Sequence, residues 1–174
     1  MLLQRIRAAV AVGVVASITM SCEPAGTLGG SSGRANDYLV ARQALETGNY
    51  SLAIQRYERM LSFTGEAAGR IRLEYAHSLL RAGRFDDAIE VSDELVAAHS
   101  GSLRASALAI RGTARHQRAR EFMAQGQRAP EARALLQAAR ADLGQFLNSH
   151  PALDAAGAMA ARAQLIEVDL RDAG

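Results

Sequence analysis

The feature that most constrains this chain of 174 residues is that it repeats itself. Gly48-Asn49-Tyr50-Ser51-Leu52-Ala53-Ile54 aligns with Gly83-Arg84-Phe85-Asp86-Asp87-Ala88-Ile89. Glycine falls on glycine, aromatic on aromatic and Ala-Ile on Ala-Ile, at an offset of 35 residues (83 − 48). A fixed period of this size marks one supersecondary unit stacked on its copies, because a single unit cannot bury its apolar face alone. Each copy sits between two segments with apolar residues at helical spacing. Tyr38, Ala41, Ala44 and Leu45 precede the first glycine, and Ala53, Ile54, Tyr57, Met60 and Leu61 follow it. Ile71, Tyr75, Ala76, Leu79 and Leu80 precede the second, and Ala88, Ile89, Ser92, Leu95 and Val96 follow it. The unit reads as helix, glycine turn, helix. Ser51 and Asp86 suit helix N-caps, where a side-chain oxygen accepts from an otherwise orphaned backbone N–H.

A third, longer unit follows. Its first helix runs from about Leu103 to Gln125, the turn is Gly126 to Pro130, and Ala132, Leu135, Leu136, Ala139, Leu143, Phe146 and Leu147 stripe the second. After Pro151, a last helix near Ala152 to Arg171 carries Met159, Ala163, Ile166 and Leu170 on one face. Such a helix shields the exposed end of a stack.

The Gly-x-aromatic-x-x-Ala-Ile turn with its flanking pattern resembles the tetratricopeptide repeat. The resemblance implies an all-α, right-handed solenoid of antiparallel helix pairs, about three units plus a C-terminal capping helix. It also implies that Ala53 and Ala88 let helices approach closely and that Tyr50 and Phe85 fill the gap between the helices of a unit.

Residues 1–22 read as an address rather than a domain. Arg5 and Arg7 precede an uncharged stretch from Ala8 to Met20, 13 residues long (20 − 8 + 1). That is signal-peptide architecture, too short for the roughly 20 residues a spanning helix needs. Thr19-Met20-Ser21-Cys22 resembles a bacterial lipoprotein signal, which implies that Cys22 is the lipidated N-terminus. Glu23, not being Asp, implies the outer membrane, with the domain facing the periplasm; an ordinary secretory signal and a free periplasmic protein is the alternative. Pro24 to Arg34 holds four of the chain's glycines and two serines and reads as a flexible tether. The resulting division is a signal peptide at 1–21, a tether at 22–34 and a repeat domain at 35–174.

Charge and chemistry narrow the function. All 20 basic residues are Arg, so lysine nucleophiles, Schiff bases and the P-loop lysine are excluded. Without Arg5 and Arg7, 18 Arg balance 18 Asp and Glu, which gives nucleic-acid binding no global electrostatic support. The single cysteine rules out an intramolecular disulfide. His77, His99, His116 and His150 form no metal-ligand spacing, and Asp86, Asp87, Glu90, Asp93 and Glu94 read as the water-facing, acid-rich start of a helix. No catalytic residue, metal site or cofactor is expected, and the chain reads as a non-enzyme.

A second periodicity runs through the first helices of the units. Arg42, His77 and Arg111 recur at offsets of 35 and 34 (77 − 42, 111 − 77), as do Glu46, Arg81 and Arg115. Arg70 and Arg104 lie 34 apart (104 − 70). Tyr38, Leu73 and Ala107 form another column, and Leu45 and Leu80 a further one. By resemblance these columns face the concave side of the stack, a basic-edged apolar groove for a protein or peptide partner. The plainer reading is that Arg is simply the solvent-facing residue of a chain without Lys. The expected function is a membrane-anchored periplasmic protein–protein interaction scaffold, resembling assembly factors for pili, secretins or outer-membrane complexes. The alternative is a periplasmic binding module for a small ligand or cell-wall fragment.

Overall fold

The computed structural model describes residues 31–62, 65, 67–126 and 129–173. The readings made for residues 1–30, Cys22 among them, lie outside the described residues. The elements are α1 (Ser31–Glu46), α2 (Tyr50–Leu61), α3 (Ala68–Arg81), α4 (Phe85–Ala98), α5 (Gly101–Ala124), α6 (Ala129–Ser149), a 3-10 turn (Pro151–Asp154) and α7 (Ala158–Asp172). Among the described residues there is no strand, and no helix is long and apolar enough to cross a membrane. Helix α1 starts at Ser31, so the four residues placed at the end of the tether begin the first helix.

The glycine turns fold as the repeat implies, and alike. At the end of α1 the Gly48 N–H donates to the Leu45 carbonyl at 3.3 Å and the Asn49 N–H to the Ala44 carbonyl at 2.8 Å. At the end of α3 the Gly83 N–H donates to Leu80 at 3.2 Å and the Arg84 N–H to Leu79 at 3.0 Å. Gly48 and Gly83 have φ of 82° and 76°. This is the Schellman pattern, which satisfies the last helical carbonyls and needs a left-handed residue, hence glycine. Each following helix starts sooner than expected. Asn49 caps α2, its side chain accepting from the Leu52 N–H at 3.3 Å, and Arg84 stands at the cap of α4. Ser51 and Asp86 therefore lie inside the first turns, where Asp86 and Asp87 meet the positive end of the helix.

Each helix packs on its sequence neighbours, and α3 also packs on α5 and α5 on α7. That contact pattern is a solenoid of helical hairpins with α7 at its C-terminal end. The core is divided along the stack. Ala41, Ala44, Leu45, Ala53, Tyr57, Met60 and Ile71 form one cluster; Ala119, Phe122, Ala132, Leu136, Ala139, Leu143, Ile166 and Leu170 form another at the far end. Ala53 and Ala88 are fully buried, the small side chains that let helices close up. Phe85 packs with Ile54, Leu79, Ala88 and Ala114, and Tyr50 against the first cluster.

Candidate functional site

The first helices of the hairpins leave a concave surface. On it lies a cavity of about 480 Å³ that runs from Arg42 on α1, across Leu73, Glu74 and His77 on α3 and Ser106, Ala109 and Ile110 on α5. It ends against Leu153 and Asp154 of the 3-10 turn, Ala156, and Ala158 and Met159 at the start of α7, with Phe146 of α6 beneath. Its floor is apolar and built from small or flexible side chains. Its polar groups sit mostly at one end. Arg42 donates to Glu74 at 2.8 Å and to Glu46 at 2.8 Å, which ties α1 to α3. Beside this pair, burial lowers the pKa of His77, with Arg81 and Arg42 acting in the same sense against Glu74. At neutral pH His77 thus offers the cavity an uncharged imidazole.

Of the residues read from the repeat columns, Arg42, Leu73 and His77 line this cavity. The rest lie elsewhere. Leu45 is buried in the first cluster; Tyr38 packs against that cluster, edge-on to Tyr57 with ring centres 6.3 Å apart. Leu80 packs against Leu79 and Ala88. Arg70 is exposed at the start of α3. Arg81 lies over the Tyr50 ring and donates to its hydroxyl at 2.7 Å. Arg104 donates to the Val96 carbonyl at 3.2 Å and reaches Gln145 at 3.4 Å. Arg111 and Arg115 turn towards α4 and α6, where Asp93 and Asp142 accept from both.

The acidic run on α4 is largely exposed, as its sequence suggests, and four of its five members also meet an arginine. Asp93 meets Arg111 and Arg115, Asp86 meets Arg118, Asp87 meets Arg84 and Glu94 meets Arg72. Two further constellations carry no signal in the sequence. Asp142, nearly buried on α6, accepts from two arginines that precede it by 31 and 27 residues. His116, 1 % exposed on α5, bonds Asp169 and Arg162 of α7. A His–Asp pair of this kind is the geometry of a general base, but here the imidazole is shut away from any substrate and its second nitrogen is taken. Among the described residues, no group of three or more His, Cys, Asp and Glu side chains is placed to hold a metal ion.

No curated protein and no solved structure matches the chain. A family model does. Residues 44–110, from the last turn of α1 to the middle of α5, match the model described as Tetratricopeptide repeat, and the chain is a TPR-like helical stack.

Proposed function

We propose that this chain is a lipid-anchored scaffold facing the periplasm, whose concave groove holds a segment of a partner polypeptide. Tetratricopeptide repeats are protein–protein interaction modules, and the fold is typically a non-catalytic one. The observation that carries the reading is the groove itself, an apolar-floored trough that crosses α1, α3, α5 and the start of α7. A trough that crosses several units suits an extended or helical chain, with apolar floor positions for its side chains and a polar end at Arg42, Glu74 and His77. Among its described lining residues Phe146 is the one Phe, Tyr or Trp, which favours a polypeptide over a ligand recognised by stacking on large rings. The anchor reading rests on the Thr19-Met20-Ser21-Cys22 sequence and the short apolar run before it. A role in assembling a pilus, secretin or other outer-membrane complex is the setting such an adaptor suits.

Two measurements test this. A photo-crosslinking amino acid at Ser106 or Ile110 captures one discrete polypeptide in the native cells, whereas the same probe at exposed Glu90 on α4 does not. Equal capture from both faces, or none from the groove, rejects the groove. Labelled palmitate enters the wild-type protein and not the Cys22→Ser variant; label that persists in the variant rejects the anchor.

A further inference from the structure

We propose that His116 is a pH-sensitive latch that fastens α7, and with it one wall of the groove, to the rest of the stack. The latch stands on its own geometry, and only its effect on binding rests on the groove reading.

The His116 ring is trapped between two groups of α7. Its Nε2 lies 2.7 Å from Asp169 Oδ2, and its Nδ1 lies 3.3 Å from Arg162 Nη1. A guanidinium donates and never accepts. Nδ1 must therefore present its lone pair to Arg162, and the single ring proton sits on Nε2 and is donated to Asp169. Only the neutral imidazole satisfies both contacts. A second proton would have to go onto Nδ1, directly facing a cation, in a site from which water is excluded.

Asp169 favours that charge, but burial and the two neighbouring arginines outweigh it. Asp169 already faces Arg120 at 3.8 Å, and the buried Arg162 Nε has no hydrogen-bond partner among the described residues. The charged groups that act on His116 are Asp169, Arg162 and Arg120; burial is the largest influence and lowers its pKa, with both arginines adding to it against Asp169. The ion-paired charges on the other elements packed on α5 have partners other than His116. On α4, Asp86 meets Arg118 and Asp93 meets Arg111 and Arg115. On α6, Asp142 is held by Arg111 and Arg115, Arg140 faces Glu167 and Arg133 reaches the Leu170 carbonyl. On α3, Glu74 is held by Arg42.

The latch reaches the groove through α7 itself. Asp154, in the 3-10 turn, accepts from the N–H groups of Met159 and Ala160, both at 2.9 Å, so turn and helix move as one piece. That piece supplies Leu153, Asp154, Ala156, Ala158 and Met159 to the groove. Protonation of His116 removes the Arg162 bond and sets two cations against each other. Ile166 and Leu170 still hold α7 to α6, so the wall loosens while the stack persists.

The test is amide hydrogen exchange of α7 in the full chain at pH 7.5 and 5.0, corrected for intrinsic rates, with His116 titrated by NMR. The opened fraction of α7 should rise by up to roughly tenfold per pH unit below about 6.5, until the folded pKa is reached. His116→Gln keeps a donor and an acceptor, and should abolish that rise. Arg162→Gln provides a second route should His116→Gln fold poorly. Its amide can accept from a protonated ring, so the His116 titration should move to higher pH while α7 stays docked. Equal α7 exchange at both pH values, or the same pH dependence in a folded His116→Gln or Arg162→Gln protein, overturns the latch. Opening of α7 with no change in groove crosslinking supports the latch and counts against the groove.

Discussion

Arg111 on α5 holds Asp142 on α6 by two bonds at once, Nη2 to Oδ1 at 2.6 Å and Nε to Oδ2 at 2.9 Å. Arg115 adds a third to the same carboxylate at 2.8 Å. Both arginines also reach Asp93 on α4, so the four side chains bind three consecutive helices. The Asp142 side chain is 6 % exposed and those of Arg111 and Arg115 are 14 % and 18 % exposed. Removing the acid leaves two poorly hydrated cations side by side. Asp142→Ala should cost about 3–5 kcal/mol in urea unfolding. Asp93→Ala, at the half-exposed end of the network, should cost no more than about 1 kcal/mol. Equal costs would show that the network does not depend on its buried carboxylate.

Two glycines on facing helices should respond to alanine in opposite directions. A Cβ on Gly112 would lie 2.9 Å from Leu143 Cδ2 and 3.1 Å from Asp142 Cβ, whereas one on Gly144 meets nothing within 4 Å. Alanine is the better helix former by roughly 1 kcal/mol, so Gly144→Ala should raise the melting temperature. At Gly112 the contact between α5 and α6 outweighs that gain, and Gly112→Ala should destabilise by about 1–3 kcal/mol.

Tyr57 is fully buried, and its hydroxyl has no hydrogen-bond partner among the described residues; Ser92 Oγ is in the same position. Burial pushes the Tyr57 phenol pKa upward, so it stays protonated. An unsatisfied buried hydroxyl costs about 1–3 kcal/mol. Tyr57→Phe and Ser92→Ala should therefore leave stability unchanged or raise it by about 1 kcal/mol. A clear loss in either would reveal a hydrogen bond at that hydroxyl.

Global stability should fall on mild acidification. His77 and His116 both have folded pKa values below 6.5. Between 6.5 and those lower values the unfolded chain binds more protons, so stability declines as pH drops through that window and is fully present above it. Each group can contribute at most about 1.4 kcal/mol per pH unit there. Urea midpoints at pH 7.5 and 5.5 measure the sum. Replacing both His77 and His116 with Gln should flatten the difference.

The hairpins were legible in the sequence because their determinants are local. Gly48 and Gly83 announce the turns, and Ala53 and Ala88 announce the close contacts. The register of the concave face was not. Six residues, 62–67, join α2 to α3, but only His99 and Ser100 join α4 to α5. The offset of 34 from His77 points to Arg111, whereas the cavity takes Ile110, 33 residues on (110 − 77). One residue of slip rotates a helical side chain by roughly 100°, enough to swing Arg111 and Arg115 onto Asp142 and Asp93. The Arg111–Asp142 and His116–Asp169 pairs span 31 and 53 residues, too far for any local spacing to foretell.

The unequal helix lengths have a mechanical consequence. Helices α5 and α6, of 24 and 21 residues, outrun α3 and α4, of 14 each, and the cluster at their far ends is completed by α7 alone. The C-terminal third thus owns a hydrophobic nucleus that shares no side chain with the one around Tyr57. A stack whose units touch only their neighbours should therefore lose α1 and α2 under load without disturbing the nucleus shared by its last three helices.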